Sequence, residues 1–214
     1  MTPAVFETML VEDGRVRLLE RHLDRLRRAG VGEPLVDEVR AAALEAAAGA
    51  AGPVVVRIDV ADGAIAVRPR EPRPASPVSG VLVEGYDPAD RSREQKRAER
   101  AWADAAETAA GGEALLVSAD GLVGETTRAN VFAILGGAVV TPPLAGILPG
   151  VTRSFALERT GAVERPLKLA DLRVADAAFL TTAGRGIVLL ADVGGRRLAG
   201  HPLVDELAAA WRAL

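Results

Sequence analysis

The sequence predicts a mixed α/β chain with an α+β first half, and three observations carry that reading. Short runs rich in valine and isoleucine alternate with longer alanine- and leucine-rich stretches of helical spacing. Asp-Gly and Gly-Gly pairs stand between many of the runs, where tight turns need residues that tolerate positive φ. A proline cluster splits the chain into a smaller and a larger part.

Taken in order, Ala4 to Glu12 reads as a strand. Asp13-Gly14 is a hairpin turn, and Arg15 to Leu18 is its return. Leu19, Leu23 and Leu26 recur at helical spacing up to a stop at Gly30. Leu35 to Ala51 is a second helix, closed by Gly52-Pro53. Val54 to Val60 and Ala64 to Val67 flank Asp62-Gly63 as another hairpin. Pro69, Pro72, Pro74 and Pro77 then make an extended linker, because proline removes donors and stiffens the backbone. The boundary predicted from it separates residues 1–78 from 79–214.

In the larger part, Val81 to Glu84 is a strand, followed by a long charged helix from Arg93 to Ala109. Glu113 to Ser118, Ala129 to Leu135 and Ala138 to Thr141 are strands, turned by Asp120-Gly121 and Gly136-Gly137. A proline-glycine loop, Pro142 to Pro149, leads into a helix from Gly150 to Glu158. Ala177 to Thr182 and Gly186 to Ala191 are strands, and Leu203 to Ala213 is the closing helix. Periodicity alone does not name the fold.

Composition narrows the function. With 214 residues, 49% hydrophobic and 26% charged, the chain is long enough for a sizeable core and too apolar for disorder. A formal net charge of −3 with no basic block argues against nucleic acid as a partner. No apolar run approaches the roughly 18 residues of a membrane span, and Met1 to Glu12 lacks the pattern of a leader. A cytoplasmic protein is expected. Cysteine is absent and His22 and His201 are the only histidines, so no metal site is expected.

Of the 26 basic residues only Lys96 and Lys168 are lysine. Arginine stays charged, whereas a lysine amine can lose its proton and attack a carbonyl. Lys96 lies among arginines, whose charge favours the neutral, nucleophilic amine; a solvated charge on a helix face is the plainer alternative. Glu125 opens Glu-Thr-Thr-Arg-Ala-Asn130, which suits a polar pocket at a strand entrance or an ordinary turn. Gly146 to Arg153 enters a helix whose free N–H groups can bind an anion such as phosphate, or serve only as a helix entry. Thr181 to Gly186 is a second small, hydroxyl-rich turn with the same two readings, and Arg25 carries the planar fork that suits phosphate.

Phe6-Glu7-Thr8, Asp13-Gly14, His22 to Leu26, Lys96 with Arg100, Glu125 to Asn130, Thr141-Pro-Pro143 and Ile147 to Arg153 stand in one order. That set resembles the class IV aminotransferase family, the pyridoxal-phosphate enzymes of fold type IV. The matches run from residue 4 to about 190. The resemblance implies a two-domain fold like that of D-amino-acid aminotransferase, with the larger domain barrel-like and pyridoxal 5'-phosphate in the cleft. By it, Lys96 is the lysine that carries the cofactor and moves the substrate proton, and Glu125 is the carboxylate on the pyridine nitrogen. Arg25, Val151 and Thr152 hold the phosphate, with Thr182, Ala183 and Gly184 near a second phosphate loop, while Asn130 belongs to the cofactor wall. Lys168 matches nothing catalytic.

Glu125-Thr-Thr-Arg and Thr182-Ala-Gly-Arg-Gly186 lean, within the family, towards 4-amino-4-deoxychorismate lyase. That implies release of 4-aminobenzoate and pyruvate for folate biosynthesis, and a link to aminodeoxychorismate synthase. Thr8 aligns with a hydroxyl near the leaving pyruvate, and Phe6 lies beside it. Some family members carry a substrate-carboxylate arginine in the loop after Val60; here that loop is short, and the resemblance leaves Arg57, Arg128 and Arg185 as candidates. An aminotransferase of branched-chain or D-amino acids is the alternative, and a non-catalytic cofactor-binding protein a third. The family also implies a homodimer acting on a small-molecule amine.

Overall fold

The computed structural model describes residues 4–214 and contains two sheets. The first is built from β1 (Val5–Glu12), β2 (Arg15–Val16), β3 (Val54–Ala61) and β4 (Ala64–Arg70), in the order β2-β1-β3-β4. Two helices, α1 (Leu19–Arg28) and α2 (Glu33–Gly49), cover one face. Alternation along β1 and β3 sends Val5, Met9, Val11, Val56, Ile58 and Val60 to that face, where they meet Leu23, Leu26, Val36 and Val39. Each such aliphatic side chain contributes roughly 1.5–3 kcal/mol on burial. The opposite parity of β1 carries Phe6 and Thr8 towards the second sheet's side of the molecule.

The second sheet has ten strands. They are β5 (Val78–Glu84), β6 (Ala114–Val117), β7 (Leu122–Thr126), β8 (Asn130–Leu135), β9 (Ala138–Thr141), β10 (Val163–Glu164), β11 (Leu167–Lys168), β12 (Ala177–Thr182), β13 (Gly186–Val193) and β14 (Arg196–Arg197). Four helices accompany it: α3 (Ala101–Ala110), α4 (Val151–Thr160), α5 (Leu169–Val174) and α6 (Pro202–Arg212). The path β8-β12-β13-β5-β6-β7 returns to β8 through one further pairing, so the sheet closes into a barrel. Val131 and Ala133 of β8 and Ala178 and Leu180 of β12 fill one core, while Phe132, Ile134 and Phe179 point the other way. Phe132 and Phe179 stack at 4.9 Å between ring centroids, and the α6 residue Trp211 meets Phe155 of α4 edge-on. This is the α/β fold with a barrel-like sheet that the sequence predicts.

Several expectations need correction. The long helix from Arg93 to Ala109 does not form. Arg91–Glu94 is a short 3-10 turn, the next residues are extended, and only Ala101–Ala110 is α-helical. The backbone around Lys96 is taken up by β1 instead: Phe6 N–H donates to the Lys96 carbonyl at 2.9 Å, and Ala98 N–H donates to the Ala4 carbonyl at 2.9 Å. A stretch with charges at 91, 93, 94, 96, 97, 99 and 100 has no apolar stripe to hold a helix against a core. Strand β4 runs on to Arg70 through Pro69, which an edge strand tolerates because that residue need not donate to a neighbour. The return strand after Asp13-Gly14 stops at Val16, since Leu18 adopts φ 52° ahead of α1. No helix among the described residues is long and apolar enough to cross a membrane.

Candidate active site

A cavity of about 400 Å³ opens between the two sheets. The first sheet contributes Thr8, Val55, Arg57 and Arg70; α1 contributes Arg25. The barrel side contributes Lys96, Arg100, Glu125, Arg128, Asn130, Val151, Thr152, Thr182, Ala183, Gly184 and Arg185. Every site residue singled out from the sequence lines it except Phe6, which is buried directly behind. The Lys96 Nζ lies 4.9 Å from the Phe6 ring centroid, so the strand bridge that replaced the helix is what holds the amine there.

Burial, Arg25 and Arg100 all disfavour charge on Lys96 and outweigh the pull of Glu7 and Glu125. Its pKa falls to about 7. At neutral pH a large share of this amine is uncharged and nucleophilic. Glu125 moves the other way: burial raises its pKa to about 8, despite bonds and charges that favour ionisation. Its carboxyl accepts from Leu148 N–H at 3.2 Å and from Asn130 Nδ2 at 3.1 Å. Asn130 also donates to the Leu148 carbonyl at 2.9 Å. Glu125 and Asn130 are themselves the pair through which β7 joins β8, so closure of the barrel and placement of the carboxyl are one event.

Arg25 is held from behind. Its Nε donates to Glu7 Oε1 at 2.7 Å, a terminal nitrogen donates to Glu7 Oε2 at 2.6 Å, and another reaches the Pro149 carbonyl at 3.2 Å. His22 Nδ1 lies 2.7 Å from the same carboxyl. Burial alone would raise the Glu7 pKa, but Arg25 and His22 reverse this and hold it far below the usual range. Glu7 stands in the Phe6-Glu7-Thr8 motif, but no role of its own was legible in the sequence. Its position shares the parity of Val5, Met9 and Val11, and an acid on the buried face of a strand asks for a buried cation.

Next to Arg25, whose guanidinium reaches the Pro149 carbonyl, α4 begins at Gly150, where no side chain caps the first N–H groups. The approach is close: a Cβ on Gly150 would stand 2.0 Å from Asn130 Oδ1. Thr152 Oγ1 and Thr181 Oγ1 are both buried without a hydrogen-bond partner. Two orphaned hydroxyls, a free helix start and a braced arginine fit a phosphate monoester. Thr181 joins Thr182 in this group, which adjacency alone did not distinguish in the sequence. Arg57, Arg128 and Arg185 are present too, engaged with Asp59, Glu107 and Glu113. Lys168 is exposed and remote from the cavity lining.

Residues 4–192 match the family model of class IV aminotransferases. The chain belongs to that family. A branched-chain-amino-acid aminotransferase of Pseudomonas aeruginosa is 32% identical over 109 residues, which cover 46% of this chain and 35% of that protein. The matched stretch is thus about a third of the length of the curated relatives. Among solved structures, a hypothetical aminotransferase from Mycobacterium tuberculosis in its PLP-bound form is 26% identical. Its TM-score is 0.84, and the alignment covers 99% of this chain and 88% of that one. A Legionella pneumophila protein provisionally assigned as 4-amino-4-deoxychorismate lyase superposes with TM-score 0.86 at 21% identity, covering 99% and 91%. At that identity the likeness speaks for the fold, which is fold type IV.

Proposed function

We propose that this family member is a pyridoxal-phosphate-dependent lyase that converts 4-amino-4-deoxychorismate to 4-aminobenzoate and pyruvate. The carrying observation is the lining itself: arginines outnumber carboxylates around Lys96. Such a cavity suits a substrate with two carboxylates better than one with an aliphatic side chain.

Pyridoxal 5'-phosphate, when bound, supplies an aldehyde that condenses with amines and a ring that accepts electrons from carbon. Lys96 is the residue that would hold it, and its amine, once displaced by the substrate amine, would take the proton from the amine-bearing carbon of the substrate. Glu125, fixed by Asn130 and Leu148 N–H, would pair with the pyridine nitrogen and keep a proton there. Arg25, Val151 and Thr152 hold the phosphate, with Thr182, Ala183 and Gly184 on its second side. Thr8 lines the side from which the enolpyruvyl group would leave, with Phe6 buried behind it, and Arg57, Arg128 and Arg185 supply positive potential. Loss of that group as pyruvate leaves an aromatic ring, which makes the step irreversible.

The site lies between a small domain, residues 1–78, and a larger one, residues 79–214, and two copies pair as a homodimer in the cytoplasm. A neighbouring aminodeoxychorismate synthase supplies the substrate in this reading, which serves folate biosynthesis. The second reading is an aminotransferase of branched-chain or D-amino acids, favoured by the names of the curated relatives. The test is an absorbance spectrum of the cofactor-loaded protein with product analysis, alongside Lys96→Ala. The expected result is a visible band that requires Lys96, with 4-aminobenzoate accumulating. A band bleached by an amino acid, with no 4-aminobenzoate formed, would transfer the assignment to transamination. No band at all would sink both readings.

A further inference from the structure

The three arginines singled out for the substrate carboxylate each face an acid already. Arg57 pairs with Asp59 at 2.6 Å, Arg185 with Glu113 at 2.7 Å, and Arg128 with Glu107. Glu113 is further tied to Thr126 Oγ1, and Glu107 to Thr127 Oγ1, so both acids are anchored. A guanidinium paired in this way must share or release its acid before it grips another, which removes most of the gain of a charge-assisted bond.

Arg100 is different. It lines the same cavity, yet no carboxylate of the described residues lies within ion-pairing distance of it. Its one side-chain bond runs from a terminal nitrogen to the Thr127 carbonyl. The guanidinium carbon stands 5.8 Å from the Phe6 ring centroid and 5.6 Å from that of Trp102. Aromatic rings hold a planar cation without occupying its N–H donors. The same Phe6 ring lies 4.9 Å from Lys96 Nζ, so the amine and the guanidinium flank one side chain. Lys96 and Arg100 also line the same cavity, so a molecule bound there meets both.

We propose that Arg100 is the residue that binds a carboxylate of the substrate. Arg57, Arg128 and Arg185 shape the potential of the cavity but keep their own acids. The inference rests on the cavity being the substrate site of a pyridoxal-phosphate enzyme. It holds equally for the lyase and the aminotransferase.

Isothermal titration calorimetry on the cofactor-loaded protein tests it, with benzoate and isovalerate as one aromatic and one branched aliphatic carboxylate probe. At least one probe binds the unmodified protein at millimolar concentration, and Arg100→Gln weakens it by about tenfold or more, the scale of a lost charge-assisted bond. Arg100→Lys keeps the charge without the fork, so it loses less than Arg100→Gln and carries the test if that variant does not fold. Equal affinity in the Arg100 variants would overturn the proposal, as would a comparable loss confined to Arg57→Gln, Arg128→Gln or Arg185→Gln. Failure of both probes to bind the unmodified protein would also overturn it. None of these outcomes depends on 4-aminobenzoate formation, so the lyase reading stands or falls separately.

Discussion

In the cofactor-free protein, burial favours the uncharged forms of two cavity residues, and each ties stability to pH in its own window. Glu125 has its folded pKa raised from 4.5 to about 8, so between those values the folded chain binds the proton that the unfolded chain releases. Stability therefore falls as pH rises through that window. Lys96 has its folded pKa lowered from 10.5 to about 7. Between those values the unfolded chain binds the extra proton, and stability rises with pH. Glu125→Gln keeps an acceptor for Leu148 N–H and removes only the first slope. In cofactor-free protein, its urea midpoint should gain on the unmodified chain steadily from pH 4.5 to 8, at about 1.4 kcal/mol per unit of lost shift at most. Parallel midpoint curves across that window would mean that Glu125 ionises inside the fold without penalty. If Glu125 pairs with the pyridine nitrogen as proposed, the same variant should also lose turnover, because a glutamine holds no charge there.

At the scale of elements, the site depends on where strands and helices end. Asn130 opens β8, Gly150 precedes α4, and the two touch so closely that only a hydrogen fits between the glycine backbone and Asn130 Oδ1. Gly150→Ala should push Asn130 off Glu125 and the Leu148 carbonyl, at a stability cost of about 1–3 kcal/mol by the scale of overpacked sites. It should also weaken pyridoxal-phosphate binding, as read by fluorescence titration. Unchanged cofactor affinity would show that the α4 start and Asn130 move independently. The sequence was legible here because Gly, Pro and Asn mark loop ends. It was least legible between Arg91 and Arg100, where charge density looked helical and a bridge to β1 decided the matter. Such a bridge is a long-range contact, and local spacing carries no trace of it. The same limit hid Glu7, whose meaning appears only once α1 brings Arg25 and His22 onto the back of β1. Arg100 stood in the motif with Lys96, but that no carboxylate of the described residues pairs with it directly is visible only when its neighbours are placed.

The two sheets act as one molecule through contacts that also frame the cavity. Arg17, beside β2, donates to the carbonyls of Trp211 and Arg212 and thereby fastens the end of α6 to the first sheet. Arg21 of α1 reaches Ser154 and Glu158 of α4. With this frame the chain carries a net charge of −3 overall while its cleft is lined by an excess of arginine. A dianionic substrate is repelled by the body of the protein and drawn to the cleft, and low-dielectric walls focus that attraction. Added salt screens both effects, but the focused attraction governs productive encounter. For 4-amino-4-deoxychorismate, kcat/KM should fall by about threefold or more between ~0.02 and ~0.2 M ionic strength, the direction and scale expected of electrostatic steering. For a zwitterionic amino acid with an uncharged side chain, the same change in salt should leave kcat/KM nearly flat. Stopped-flow or steady-state measurement of both substrates on one preparation separates substrate charge from any effect of salt on the fold. Equal slopes for the two would show that the arginines of the cleft are neutralised by their own acids, and that the cavity does not choose by charge.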